Sequence, residues 1–532
     1  MTTDTDTFDV IVVGTGGGLV GAYVAASRGL RTLVIEKTDK VGGTLAYSGA
    51  GLWYPGSAPC VRAGFGDGLE DARKYLRALV DDPSREPLQD AYLKAGPELI
   101  DELETNPWFE QFFHQPVPEY FASVPGSSPA GNTIFPAPLP VADLGEHADI
   151  VRRSIPEERW GEAEGPVLSG GRALAGRTLK ALLDTGNATL LLETPLRSLV
   201  VEDGRVVGVL AERDGQEVTY RAERGVLLAA GGFEHNAELR AEHGKVPLTG
   251  EWSNGVHSNT GDALKAGIAV GAATGLLDEA WFVPGLVQPD GKPVFQSGIR
   301  AGIWVNGAGE RFTNETQPYD QSGHAIYNAE ATSGVSHMPV RWILDQKQID
   351  RDGFGGDPAQ PISPEWFESG ALVKANSLEE LAEKIGVPFE NLGRTVDQFN
   401  IFSKTGVDES FRRGETPWDQ MFHHIVGFAA HPVQNYLVPL PQDIPNPLLG
   451  AIDTPPFYAA TIRLSDIGTK GGLKTDEHAR VLAEDGKVIE GLYATGNTMA
   501  AMSGGVYPGA GTPIGSSLAF SYLAVRDMAD GR

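Results

Sequence analysis

Cysteine is nearly missing from this sequence: Cys60 is the only one in 532 residues. A single cysteine excludes an internal disulfide and any cysteine-rich metal or iron–sulfur site. Long apolar runs are missing too, since none approaches the roughly 20 residues that a membrane-spanning helix needs. Positive charge is scarce: 43 Lys and Arg stand against 70 Asp and Glu, a formal net charge of −27. Such a surface repels nucleic acid and anionic lipid, and it argues against a polyanionic substrate. Met1 to Asp9 is polar and acidic, unlike a secretory or transit peptide. A cytoplasmic protein is expected, with loose peripheral contact to membranes left open, because a charged surface can still carry one apolar patch. Two catalytic signatures are also absent. Neither a Gly-x-Ser-x-Gly elbow nor a phosphate-loop Gly-Lys-Ser/Thr occurs, so hydrolase and NTPase readings drop out.

What remains is an ordinary globular balance, with 41% apolar and 21% charged residues. The length calls for two domains, one of them split in sequence. Asp9 to Val13 is an apolar run suited to a strand buried on both faces. Leu19 to Arg28 is helix-compatible with Gly29 as a C-cap, and Arg31 to Glu36 is a second buried strand. That is one βαβ unit. Helical periodicity follows between Asp67 and Leu103 and again from Gly171 to Leu183, whereas Pro116 to Pro140 reads as irregular. Three strand-like runs, Leu196 to Glu202, Arg205 to Arg213 and Glu217 to Ala222, are separated by Asp203-Gly204 and Asp214-Gly215, both hairpin signals. Val226 to Ala230 returns as a buried strand. Beyond about Leu277 the character changes, and the buried-strand pattern resumes at Gly491 to Gly496 before a closing helix, Ile514 to Met528. These shifts place one domain at 1–280 and 447–532, with another inserted at 281–446.

Val13-Gly14-Thr15-Gly16-Gly17-Gly18-Leu19-Val20-Gly21 follows the first strand and opens a helix. Glycines there allow a tight turn and close approach of a pyrophosphate to the helix N-terminus. Glu36 ends the next strand, 20 residues after Gly16, where an acid accepts ribose hydroxyls and favours FAD or NAD over NADP. Two frames fit the glycines: Gly14 and Gly16 with Leu19 in the third place, or Gly16, Gly18 and Gly21 with Gly14 as an extra turn residue. Lys40 to Gly51, Ala229-Ala230-Gly231-Gly232 and Ala494-Thr495-Gly496-Asn497 supply further small-residue turns at strand ends, more than an NAD site needs. Together these segments resemble the FAD-binding fingerprints of the fumarate reductase and 3-ketosteroid dehydrogenase flavoproteins over nearly the whole chain. Gly302 to Glu315 likewise resembles that superfamily's strand–turn–strand at the entry to the catalytic domain. The resemblance implies an α/β fold, with a Rossmann-like FAD-binding domain split in sequence and an inserted α+β catalytic domain. It implies non-covalent FAD, held by Gly14, Gly16, Gly17, Gly18, Glu36, Lys37, Gly43, Thr44, Ser48, Ala230, Gly231, Gly496, Asn497 and Ile514.

Fumarate reductases use arginine to protonate their substrate, but no arginine occurs between Arg480 and Arg526. Ser503 to Gly515 contains instead Tyr507-Pro508-Gly509-Ala510-Gly511, which is similar to the 3-ketosteroid 1-dehydrogenase motif. The resemblance implies that the Tyr507 hydroxyl and the Gly511 amide hold a 3-keto oxygen. Asn314 to Asp320 resembles the segment carrying that family's base, here Tyr319, and Pro118-Glu119-Tyr120-Phe121 the one carrying its assisting tyrosine, here Tyr120. Uncharged donors suit an apolar substrate with one polar handle better than arginines do. The implied reaction is 1(2)-desaturation of a 3-ketosteroid in steroid degradation, with electrons passing to an external acceptor of quinone type. Rival readings are a steroid 4-dehydrogenase, a fumarate-type reductase, and a flavin-binding electron carrier without a substrate of its own. His423-His424 is the one pair that suggests a metal, but neighbouring histidines point apart on any regular element, so no metal is expected.

Overall fold

The structure, a computed structural model, describes residues 7–66, 68–109, 112–297, 299–354, 358–423, 425–426, 436–437 and 444–531. His424 lies outside them. The chain forms two compact units, one of Met1–His243, Gly255–Ala280 and Gly468–Arg532, the other of Gly244–Asn254 and Trp281–Ile467. Among the described residues no helix is long and apolar enough to cross a membrane.

The first unit is built on an eight-stranded sheet. Its main path runs Arg480–Leu482, Val488–Ala494, Gln216–Leu228, Thr7–Val13, Thr32–Ile35, Ala188–Leu191. All neighbours except the first pair run parallel. The apolar runs follow from this placement: Val10, Ile11, Val12, Leu33, Val34, Val226, Leu227 and Leu492 are fully buried, as strands covered on both faces must be. The first helix, Gly18–Ser27, has no polar side-chain group before Ser27 except the Tyr23 hydroxyl, which accepts from Asn106, and it is buried from Gly18 to Ala26. It packs between Gly170–Asp184 and the long closing helix Thr512–Asp530.

Both hairpin signals are realised. Asp203, Gly204, Asp214 and Gly215 all have positive φ, as two-residue primed turns require. The third strand of the meander is longer than expected. The runs 217–222 and 226–230 are not separate; a single strand, Gln216–Leu228, pairs antiparallel with Arg205–Arg213 at its start and parallel with Thr7–Val13. Its register slips between Phe8 and Val10, so Glu223 and Arg224 both lie across from Asp9. That bulge re-aims the strand without a turn.

In the second unit a six-stranded sheet runs Pro293–Phe295, Ala280–Val287, Phe457–Thr469, Val340–Asp345, Ile303–Val305, and Leu372–Ala375 also pairs with Phe457–Thr469. This central strand corrects the boundary expected at 447. Residues up to 467 stay in the second unit because Phe457 to Ile462 are bonded to Val340–Asp345. The strand–turn–strand expected over Gly302 to Glu315 is half formed. Ile303–Val305 is a strand, but the returning arm makes only an isolated bridge from Val305 to Arg311. Arg311 and Glu315 turn inward instead, into a buried ion-pair network. Helix Tyr319–Thr332 lies tight against Ala280–Val287: a Cβ on Gly323 would stand 2.6 Å from Phe282.

Candidate active site

The glycine-rich turn divides into residues that pack and residues that leave space. Gly14 has φ +99°, and a Cβ there would lie 2.4 Å from the Ala229 carbonyl oxygen. A Cβ on Gly17 would strike the Ser517 hydroxyl, and one on Gly18 would meet Ala229 and Val12 at 2.8 and 2.9 Å. Gly21 is similarly close to Leu227 and Ser521. The helix-packing role of a third fingerprint glycine thus falls to Gly18 and Gly21, which Leu19 could not replace. Gly16 differs. The nearest atom to its Cβ position is the Gly42 carbonyl at 3.8 Å, and Gly43 looks back at the Gly16 amide at 3.9 Å. These two glycines leave open a cradle beside the N-terminus of the first helix, the place a pyrophosphate takes.

Glu36 stands at the end of the second strand, and its carboxylate is held in place. Oε2 accepts the Thr15 hydroxyl at 2.6 Å, and Oε1 accepts the Thr38 amide and hydroxyl, each at 3.0 Å. Thr15 itself accepts from the Gly42 amide at 3.1 Å, so one side chain ties together the turn, Glu36 and the next glycine segment. Sequence reasoning missed Thr15; its signal was the lone hydroxyl among glycines. Lys37 is turned to Thr260 and Asp262, at 2.9 and 2.7 Å.

The other expected cofactor residues also lie at turns of this unit. Thr44 accepts from the Val256 amide and the Asn259 side chain, each at 3.1 Å, and Asn259 also donates to Glu234. Gly231, φ +76°, follows Ala230 and has no room for a side chain beside Asn259. Its carbonyl accepts the Thr498 hydroxyl at 2.8 Å, which joins it to the short helix containing Gly496 and Asn497. The Ser48 hydroxyl donates to the Leu45 carbonyl at 2.6 Å and closes the turn Gly43–Tyr47. Ile514 is half-buried at the start of the closing helix. The glycine cradle, anchored acid and converging turns fit a flavin dinucleotide.

Tyr120, Tyr507 and Gly511 come together in this same unit. The Tyr120 and Tyr507 rings have centroids 5.0 Å apart at 55°. The Gly511 amide points at the Tyr507 hydroxyl oxygen from 3.4 Å. In this structure the amide hydrogen is spent on the Tyr507 oxygen; a ligand oxygen that takes this hydrogen in place of the hydroxyl would also lie within reach of the Tyr507 O–H, the arrangement an oxyanion site needs. Gly511 is the N-cap of the closing helix with φ +92°, and a Cβ would press on the Gly51 carbonyl carbon and oxygen at 2.3 Å. Only glycine can hold its amide there. The turn is fixed from behind as well. The Pro508 carbonyl accepts the Tyr75 hydroxyl at 2.7 Å and the Tyr120 amide at 3.1 Å, and the Thr133 hydroxyl donates to the Ala510 carbonyl at 2.7 Å.

Tyr319 belongs to the second unit. It is the first residue of its helix, after the Pro318 N-cap, and its buried ring meets Phe295 edge-on at 4.8 Å. The segment leading to it is clamped. Glu315 accepts from Arg311, Arg413 and the Trp304 amide, Thr316 bonds to the Ile299 carbonyl, and Trp418 donates to the Thr316 carbonyl. Among the described residues no group of three or more His, Cys, Asp or Glu is placed to hold a metal.

A family model described as an FAD binding domain matches residues 9–514. The chain belongs to this family of FAD-binding flavoproteins. It is 37% identical to a 3-oxosteroid 1-dehydrogenase of Mycobacterium tuberculosis and 38% to one of Rhodococcus opacus, each match covering 98% of both chains. The crystal structure of 3-ketosteroid delta1-dehydrogenase from Sterolibacterium denitrificans, in complex with 1,4-androstadiene-3,17-dione, is 32% identical. It superposes with a TM-score of 0.88 over 99% of this chain and all of that one. The cofactor is FAD.

Proposed function

We propose that this protein is an FAD-dependent 3-oxosteroid 1-dehydrogenase, which introduces a double bond between carbons 1 and 2 of a 3-ketosteroid. The observation that carries this reading is the Tyr507 hydroxyl and Gly511 amide, 3.4 Å apart beside the Tyr120 ring. The pair holds the 3-keto oxygen and stabilises the negative charge that builds on it when carbon 2 loses a proton. Tyr319, on the resemblance of its segment, takes that proton, and Tyr120 assists. Bound FAD supplies the two-electron acceptor for the hydride leaving carbon 1. With the carbon 2 proton on the base, the carbon 1–carbon 2 double bond would form as carbon 1 gives up its hydride to that acceptor. Gly16, Gly43 and Glu36 hold the dinucleotide without a covalent bond, and the electrons then pass to an external acceptor of the quinone class. Its single buried cysteine and acidic surface suit a cytoplasmic enzyme.

Anaerobic titration of the holoenzyme with a saturated-ring 3-ketosteroid should bleach the flavin and give the 1-ene product. A flavin that no 3-ketosteroid reduces, or a product unsaturated at carbon 4 instead, would overturn the assignment.

A further inference from the structure

Directly behind the oxygen-holding pair lies a carboxyl group for which the reaction as described has no use. Glu119 is 1% exposed. Its Oε1 accepts from the Trp53 indole N–H at 2.9 Å and from the Asn132 side-chain amide at 2.8 Å, and its Oε2 accepts from the same indole at 2.8 Å. Oε2 also presses on the turn between Tyr507 and Gly511: a Cβ on Gly509 would stand 2.4 Å from it. The neighbouring residue is Tyr120, whose amide is bonded to the Pro508 carbonyl. One side chain therefore braces the strand carrying Trp53, the Asn132–Thr133 segment and the Pro508–Gly511 turn against one another. Among the described residues no cation pairs with it. The titratable groups around it are Tyr75, Tyr92 and Cys60 on three surrounding helices, together with Tyr120 and Tyr507. The first three are pushed up by burial, and further by any charge on Glu119.

We propose that Glu119 is a positioning residue for the Tyr507–Gly511 pair, that it serves as the neutral acid, and that its ionisation closes the alkaline end of the enzyme's range. The proposal rests on the dehydrogenase reading above. As the neutral acid, Glu119 carries its proton on Oε2 and still accepts from Trp53 and Asn132 on Oε1, and it fills the space behind Gly509 without adding charge. A carboxylate there would oppose the negative charge that develops on the keto oxygen at the front of the same turn. For two charges roughly 10 Å apart at an effective dielectric constant of about 20, that opposition slows the step on the order of tenfold to twentyfold. Burial pushes the Glu119 carboxyl up to about 8, only partly offset by the bonds from Trp53 and Asn132. The transition thus falls within the range where a tyrosine base is still gaining activity with pH.

The test is the rate of flavin reduction by a 3-ketosteroid in a stopped-flow instrument, from pH 6 to 10, with FAD-loaded wild type, Glu119→Gln, Glu119→Asp and Asn132→Ala. Wild type should rise, then fall tenfold to twentyfold as Glu119 ionises. Glu119→Gln, which cannot ionise, should keep rising, and Glu119→Asp should retain a falling limb. Asn132→Ala removes one donor to the charged form and should move the falling limb up by about one pH unit. This last variant leaves Glu119 untouched and decides the matter if Glu119→Gln does not fold. An unchanged alkaline limb in Glu119→Gln or in Asn132→Ala overturns this role and leaves the dehydrogenase assignment standing. A wild-type flavin that no 3-ketosteroid reduces at any pH overturns both.

Discussion

Thr15 and Glu36, 21 residues apart in sequence, are joined by a hydroxyl-to-carboxylate hydrogen bond of 2.6 Å. Thr38 holds the other carboxylate oxygen, so the acid is already oriented for the ribose role proposed for it. Glu36→Ala should therefore weaken FAD binding without unfolding the protein. A charge-assisted hydrogen bond is worth about 1.5–3 kcal/mol, roughly a ten- to hundredfold loss of affinity. Thr15→Val should lose less, because Thr38 still holds one oxygen. Titration of apoprotein with FAD, followed by flavin fluorescence, measures both. Equal FAD retention in Glu36→Ala and wild type would place the ribose elsewhere.

Two glycines of the same turn should fail in different ways. Gly14→Ala forces a Cβ into positive φ and against the Ala229 carbonyl at 2.4 Å, so the apoprotein itself should lose about 1–3 kcal/mol of stability. Gly16 has negative φ and no protein atom nearer its Cβ position than 3.8 Å. Gly16→Ala should leave the apoprotein's unfolding midpoint unchanged yet bind FAD poorly, since the added methyl occupies the cradle. If both variants unfolded alike, the cradle would not be where Gly16 and Gly43 face each other.

The contrast between these glycines also shows what the sequence could tell. Strands buried on both faces, the two Asp-Gly hairpins, the ribose acid and the Tyr-Pro-Gly-x-Gly turn each leave a local pattern, and local patterns can be read. The return to the first unit at 468 leaves none. Phe457–Thr469 carries Arg463, Ser465 and Asp466, which weaken the look of a central strand. Ser465 and Asp466 are satisfied by Asn254 and Ser253, with hydrogen bonds of 2.7 and 2.6 Å spanning more than 200 residues of chain. That same pairing draws Gly244–Asn254 into the second unit. Glu119 was hidden for a similar reason: an acid between proline and tyrosine looks like surface until Trp53 and Asn132 are placed around it.

The clamp behind Tyr319 should make the second unit acid-sensitive. Burial alone would raise the Glu315 carboxyl, but Arg311 and Arg413 outweigh it and hold it below the usual range, and Arg311 does the same for Asp408. Groups lowered in the folded state stabilise it above their unfolded values near 4. That stability is lost as pH falls through the lower folded values. Glu315→Gln should cost about 3–5 kcal/mol at pH 7 by leaving buried arginines underpaired. Its further loss between pH 5 and 3 should be smaller than that of wild type. Denaturant titrations at several pH values measure this, and parallel curves for the two proteins would exclude the network as the source.

The last prediction separates the two tyrosines of the proposed reaction. If Tyr319 takes the carbon 2 proton, Tyr319→Phe should lose about 10²–10⁴-fold in flavin reduction while still binding steroid. Exchange of the carbon 2 hydrogen with deuterated solvent, measured without net turnover, should collapse with it. In the proposed reaction Tyr507 has another task, donating to the keto oxygen in partnership with the Gly511 amide, which lies 3.4 Å from its hydroxyl. Losing one such donor costs about 10²–10³-fold, so Tyr507→Phe should slow exchange and hydride transfer together. It should also weaken binding of phenolic or enol-like inhibitors that mimic the charged oxygen, an effect Tyr319→Phe should not share. Should Tyr319→Phe keep normal exchange yet lose hydride transfer, the base lies elsewhere. Tyr120, whose ring lies 5.0 Å from that of Tyr507, would then be the residue to replace, and Tyr120→Phe should abolish exchange in its stead.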